Sequence, residues 1–336
     1  MFGLGQGSLY KQVYADETLT EAWRKVRLGT DLAGVDGVTV AQFQARLFAN
    51  LKALQHDLHR RRYTPQPVKR LVIPKPDGTK RPLGILTVRD RLVQRAVLLV
   101  IDPLFEADFE ECSHGFRKGR SVDTALTQVI RLINLGYGWI VDFDITSCFD
   151  MINPKLLLRF IKERLKNDEL RRLLQAWLDM EAASIERAGL RRKREARGIL
   201  QGGILSPLFA NIYLDRFDKA ALQRGLKLVR YADDGLVCCR SQSEAAAALK
   251  VVEKLLAKLD LAINPRKTTI QHVDKGFDYL GERLFIKHRG QGGEAVVVRP
   301  LKPEPGPLTR LPPRRLPAGR TDQPDTEDED VWEHST

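Results

Sequence analysis

The stretch LVRYADDGLVCC, residues 228–239, decides how this chain folds. Two apolar runs, Leu228-Val229 and Leu236 to Cys239, flank the adjacent carboxylates Asp233 and Asp234. Each run reads as a short strand, and Asp234-Gly235 is a dipeptide that favours a tight turn, so the segment predicts a β-hairpin. Neighbouring like charges repel each other, and a chain with 55 Lys and Arg against 43 Asp and Glu had cations available for that turn. An Asp-Asp pair at a turn is most often only a solvated turn. Its context here says more.

A third acid, Asp144, closes another apolar run, Tyr137 to Asp144 (YGWIVDFD). If the two segments are neighbouring strands, Asp144, Asp233 and Asp234 share one edge of one sheet. Three carboxylates converging there are strongly unfavourable without cations. With Mg²⁺ they form the two-metal clamp used for in-line attack on phosphorus.

The totals agree with a phosphate-rich partner. The 336 residues carry a net charge of +12 and 43 % hydrophobic residues, enough for a large core. No run of 18 apolar residues spans a membrane and the N-terminus lacks a signal-peptide core, so the expectation is a cytoplasmic protein with no membrane partner. Four cysteines (Cys112, Cys148, Cys238, Cys239) form no CxxC pair, which argues against zinc and disulfides.

Along the chain, Thr18 to Glu21 fits a capping box for a helix closed by Gly29, and Thr39 to Gln42 repeats the signal. Residues 65–86 look extended, with a hairpin turn at Lys75-Pro76-Asp77-Gly78. A helix is expected over 88–101, with Pro103 starting another. Helices follow over 154–166 and 168–180, then a charged hairpin over 185–199 with the run Arg191 to Arg194. The remaining helices are expected over 204–224 and 242–260, and strands over 267–273, 277–286 and 294–299. Residues 299–336 hold eight of the seventeen prolines and the acidic run Asp322 to Asp330, the composition of a disordered linker or tail.

Tyr231-Ala232-Asp233-Asp234 resembles the catalytic turn of reverse transcriptases. Other blocks resemble, in order, the reverse-transcriptase domain of bacterial group II intron-encoded proteins. They include Gly34 to Gly37, Ile73 to Gly78, Arg81 to Ile85, Asp90 to Gln94, Ser113 to Ser121 and Asp144 to Asp150. Gln201 to Pro207, Asn264 to Thr268 and Phe277 to Gly281 complete the series, so the resemblance covers about residues 10–290. It implies an α+β right-hand polymerase: fingers over 1–130, a palm of antiparallel sheet packed on helices over 131–298, and no complete thumb.

The implied activity is RNA-directed DNA polymerisation with an RNA template, a DNA or RNA primer and dNTPs. The implied cofactor is two Mg²⁺ ions, replaceable by Mn²⁺, on Asp144, Asp233, Asp234 and the Ile145 carbonyl. Lys75 and Arg81 would face the triphosphate, Phe149 would lie under the sugar and exclude a 2′-OH, and Gln201-Gly202 would pack against the nucleotide. Lys267 would protonate the leaving pyrophosphate, and Arg117, Lys118 and Arg120 would contact template phosphates.

The chain departs from the pattern in having Leu200 where the family usually has proline, which loosens the turn before Gln201. Fewer than twenty residues separate the strand ending at Ile286 from the Pro-rich segment. That architecture is similar to the reverse transcriptases of CRISPR adaptation, with the C-terminal segment suited to a junction with the spacer integrase. A retroelement-derived enzyme, a non-catalytic RNA-binding module and an RNA-dependent RNA polymerase stay open as alternatives.

Overall fold

Helices α1 (Leu9–Val13), α2 (Asp16–Val26), α3 (Val40–Ala45) and α4 (Leu47–His59) open the structure, a computed structural model that describes residues 9–74, 80–187, 198–289 and 293–301. Strands β1 (Lys69–Pro74) and β2 (Lys80–Ile85) form an antiparallel hairpin. They lead into α5 (Val88–Glu106) and α6 (Val122–Asn134). The central segment holds β3 (Trp139–Asp144), the short α7 (Cys148–Met151), α8 (Pro154–Arg164), α9 (Asp168–Arg187) and α10 (Ser206–Leu222). Then come β4 (Lys227–Tyr231), β5 (Asp234–Cys239), α11 (Gln242–Ala257) and β6 (Thr269–His272). Strands β7 (Phe277–Tyr279), β8 (Glu282–Arg289) and β9 (Gly293–Pro300) form a separate antiparallel sheet.

The central sheet has the order β4-β5-β3-β6, antiparallel throughout. Side chains alternate across it. Leu228, Val141, Phe143 and Val237 join the main core with α5, α8, α10 and α11. Ile140, Val229, Leu236 and Cys238 face the other way, against α6 and the β7–β9 sheet. The same alternation puts Asp142, Asp144 and Asp234 on this second face. Helix α6 spans the expected 130/131 boundary between fingers and palm, and packs on β4 and β5.

Thr39 caps α3 in a full capping box with Gln42, as its sequence predicts. Several local signals resolve differently. Helix α2 starts at Asp16, not at Thr18, and has no side-chain cap; Asp16 and Glu17 instead place negative charge on the positive end of its dipole. Pro103 lies inside α5 and starts nothing, because Val97, Ile101 and Phe105, spaced four apart, are buried on one face through the last turn. Helix α9 runs to Arg187, seven residues past the expected end, through the strong helix formers of EAASIER. The expected strand over 277–286 is two strands. Leu280 and Gly281, at φ 52° and 81°, make the two-residue turn that pairs Tyr279 with Glu282.

The Lys75–Gly78 turn, the Arg191–Arg194 run and the acidic C-terminal segment lie outside the described residues, and β9 extends into the expected tail as far as Pro300.

Candidate active site

The 228–239 segment does form a hairpin, one residue out of the expected phase. Tyr231 pairs with Asp234, so Ala232 and Asp233 occupy the turn and Asp234-Gly235 already belongs to β5. Ala232 has φ 57°, the positive value that a tight hairpin turn demands of its first central residue. Gly235 serves packing: a Cβ there would stand 2.2 Å from Cζ of Phe143 on the neighbouring strand.

That pairing sets the acids. Asp144 is the register partner of Asp234, and Phe143 the partner of Gly235. Facing residues in an antiparallel pair stand about 5 Å apart. The repulsion shows in the acidities. Burial first, then the Asp233 and Asp144 charges, push the Asp234 carboxyl up to about 6. Asp142, two residues before Asp144 on the same face, is pushed up to about 7 by burial and by Asp234, Asp144 and Asp278. Among the described residues no three His, Cys, Asp or Glu side chains already form a metal cage. The donors are nonetheless hard carboxylate oxygens, two of them in register at one end of the sheet. That set suits Mg²⁺.

Asp144 is held by the next segment of chain. The Asn264 backbone N–H donates to its carbonyl at 2.8 Å, and the Asn264 amide reaches its Oδ2 at 3.4 Å. Lys267 Nζ stands 3.5 Å from the same oxygen and is largely exposed. The buried Ile145 donates its N–H to the Asp233 carbonyl at 3.4 Å, tying the two acid-bearing segments together.

Phe149 is half-buried on α7, and its carbonyl accepts the Ile199 N–H at 2.8 Å. The next contacts bring Gln201 alongside: its amide donates to Asp150 at 3.2 Å, and its carbonyl accepts the Gly84 N–H of β2 at 2.9 Å. Leu200 compensates for the missing proline by packing. It is buried with Val68 and Leu86, and a Cβ on Gly84 would stand 2.2 Å from its Cδ1. Gly202, at φ 96°, packs against Leu83 and the Gly84 carbonyl. Arg81 lies on β2 opposite Ile73, and Lys75 falls outside the described residues.

The three expected template cations separate. Lys118 is exposed, and Arg120 pairs with Glu111 at 2.5 Å. Arg117 turns inward: its guanidinium binds Glu106 at 2.8 Å and donates to the Glu110 and Ser113 carbonyls at 2.6 and 2.8 Å. With 4 % of its side chain exposed, Arg117 braces the loop and presents no donor to a phosphate.

Sequence reasoning missed Arg230. It is fully buried under the turn, paired in bidentate fashion with the equally buried Asp218 of α10 at 2.8 and 2.5 Å. Its remaining donors reach the Ala232 carbonyl at 2.7 Å, Asn211 at 3.2 Å and Ser113 at 2.8 Å. The available signal was a lone arginine within the apolar strand Leu228-Val229-Arg230. Asp142 had one too, in its two-residue spacing from Asp144.

An antiparallel sheet that presents facing carboxylates beside a tight acidic turn, packed on helices and joined to a β-hairpin, is the palm of a nucleotide polymerase. Residues 73–284 match the family described as reverse transcriptase (RNA-dependent DNA polymerase), and the chain belongs to that family. It is 34 % identical to protein YkfC of Escherichia coli K12 over 88 % of this chain and 87 % of that one. It is 40 % identical to the group II intron-encoded protein LtrA of Lactococcus lactis subsp. cremoris over 68 % of this chain, and spans about half of LtrA, 48 %. Among solved structures, a partial Cas6-RT-Cas1–Cas2 complex is 25 % identical over 74 % of this chain and 41 % of that chain, with a TM-score of 0.44. Apo telomerase of Candida tropicalis is 15 % identical over 66 % of this chain and 46 % of that one, with a TM-score of 0.49.

Proposed function

We propose that the chain copies RNA into DNA at the Asp144/Asp233/Asp234 edge of the palm. The register pairing of Asp144 with Asp234 beside the Asp233 turn is the observation that carries this reading, in a chain of the reverse transcriptase family. Asp144, Asp233, Asp234 and the Ile145 carbonyl would hold two Mg²⁺ ions, or Mn²⁺ in their place. When bound, the ions lower the pKa of the attacking 3′-hydroxyl and stabilise the charge on the departing pyrophosphate.

The chain's own residues do the rest, which in phosphoryl transfer is mostly positioning and charge stabilisation. Lys75 and Arg81 balance the triphosphate charge. Gln201 and Gly202, tied to β2 through Gly84, fix the nucleotide against the palm. Phe149 fills the space under the sugar and excludes a ribose 2′-hydroxyl. Lys267, beside Asp144, gives the proton that pyrophosphate takes on leaving. Lys118 and Arg120 hold the template backbone.

The decisive experiment is dNTP incorporation on a primed RNA template with Mg²⁺. Wild type extends the primer, and Asp233→Ala and Asp234→Ala bind RNA without extending it. Extension that survives both substitutions would move the chemistry elsewhere. RNA binding with no extension by wild type would leave a non-catalytic module. Phe149→Ala admits rNTPs; a wild type that already prefers them is an RNA polymerase.

The biological setting is a narrower part of the same proposal. The Pro-rich, acidic residues 299–336 suit a junction to a partner, and spacer acquisition from RNA with the CRISPR adaptation integrase is the setting proposed. Copurification with the integrase that disappears on deletion of residues 302–336 supports it. Extension without any such association leaves a retroelement-derived enzyme.

A further inference from the structure

Arg230 is fully buried and its guanidinium makes five hydrogen bonds to three separate segments. Such an ion pair is a poor source of net stability, since replacing it with apolar groups is often neutral or favourable. Geometry offers a better account. Two bonds lock the guanidinium plane on Asp218 of α10, a helix deep in the main core. One Nη1 donor is thereby aimed at the carbonyl of Ala232, the left-handed residue of the acidic turn. An Nη2 donor holds Ser113.

The segment after Ser113 then closes over the turn from outside. The Arg230 backbone pairs with this segment, accepting from the His114 N–H at 2.8 Å and donating to the Cys112 carbonyl at 2.7 Å. Asn211 of α10 donates to the Gly115 carbonyl at 2.9 Å. A Cβ on Gly115 would stand 2.3 Å from the Ala232 nitrogen, so the loop backbone lies directly on the turn. Left to itself, a non-glycine residue at positive φ relaxes at a gain of about 1–2 kcal/mol. The turn is held from below by a charged fork and from above by a glycine backbone.

We propose that Arg230 is the positioning residue of the acidic turn: locked by Asp218, it fixes the Ala232 carbonyl and so sets Asp233 and Asp234 against Asp144. The same guanidinium joins that turn to the loop bearing Lys118 and Arg120, so template contact and acid placement share one anchor. The inference rests on reading the three aspartates as metal ligands. It adds a residue that touches neither metal nor nucleotide and acts only through the turn.

The test measures Mn²⁺ binding by electron paramagnetic resonance and single-nucleotide incorporation on primed RNA, using the full chain. The variants are Arg230→Lys, which keeps the charge and loses the planar fork, and Gly115→Ala, which presses on the turn and leaves Arg230 intact. For variants folded by circular dichroism, the Mn²⁺ Kd rises about tenfold or more, as when a residue supporting a metal ligand is removed. The kcat falls by about 10²-fold, the cost of an ångström-scale misplacement, while the KM for dNTP stays within about twofold.

A purely structural arginine would lower thermal stability without that pattern. Folded Arg230→Lys with wild-type Mn²⁺ affinity and kcat overturns the inference and leaves the metal reading standing. Wild type that neither binds Mn²⁺ nor incorporates dNTP overturns both. Where Arg230→Lys fails to fold, Ser113→Ala removes one bond to the same guanidinium, and an unchanged Mn²⁺ Kd there counts against the anchor.

Discussion

Asp234 sits opposite one carboxylate and next to another, and partial burial, then that opposition, disfavours its charged form in the metal-free protein. Its carboxyl is raised to about 6 and that of Asp142 to about 7, against an ordinary value of 3.8. The folded state therefore keeps protons that the unfolded chain releases from about pH 4 upward. Stability from these groups is fully present below the unfolded value and is lost as pH rises through the folded values. Melts in EDTA should show Tm falling between about pH 4 and 7, more shallowly for Asp234→Asn, with Mg²⁺ restoring stability at the upper end in wild type only. A Tm that climbs with pH across that window would contradict the raised carboxyl pKa values. The acids themselves were legible: their types and apolar flanks announced them. Arg230 was not, because a single cation in a strand carries no local sign that a helix twelve residues upstream offers Asp218.

At the scale of elements, alternation and capping residues revealed most helices and strands, while turns were read from dipeptides and misplaced. Asp234-Gly235 has a strong local turn preference, yet the Phe143 ring on a strand ninety residues away needs that glycine inside β5. Pro103 failed as a helix start for a similar reason, since burial of Ile101 and Phe105 outweighs one lost hydrogen bond. The segment before Gln201 follows the same logic: Leu200 seats against Gly84 and supplies by packing what proline supplies by a fixed φ. Leu200→Ala should cost about 2–5 kcal/mol in urea denaturation, the range for a buried leucine that leaves a cavity. It should also raise the KM for dNTP, because Gln201 and β2 are hydrogen-bonded across this joint. Lost stability with an unchanged KM would separate Leu200 from nucleotide positioning. Gly235→Ala should cost about 1–3 kcal/mol by overpacking against Phe143.

For the whole molecule, the net charge of +12 names a polyanionic partner without saying which cations touch it. Residues 1–298 carry about +14 against a slightly acidic remainder, so the basic charge lies in the first 298 residues. Sequence proximity grouped Arg117, Lys118 and Arg120 as one template-binding set; the fold divides them, since Glu106 and two carbonyls consume Arg117 while Lys118 remains exposed. Salt titration of RNA binding separates the two kinds of cation. Removing a cation that pairs with one phosphate should lower the slope of log K against log salt by about 1. Lys118→Ala and Arg120→Ala should each do so and weaken binding alike across RNA sequences, with Tm nearly unchanged. Arg117→Ala should leave the slope alone and lower stability by about 3 kcal/mol, because Glu106 and the loop carbonyls lose a largely buried partner. A reduced slope with intact stability in Arg117→Ala would mean that the side chain swings out to the template, against the inward pairing. A reduced stability with the full slope would fix the basic face of the loop at Lys118 and Arg120, and leave Arg117 as the brace that presents them.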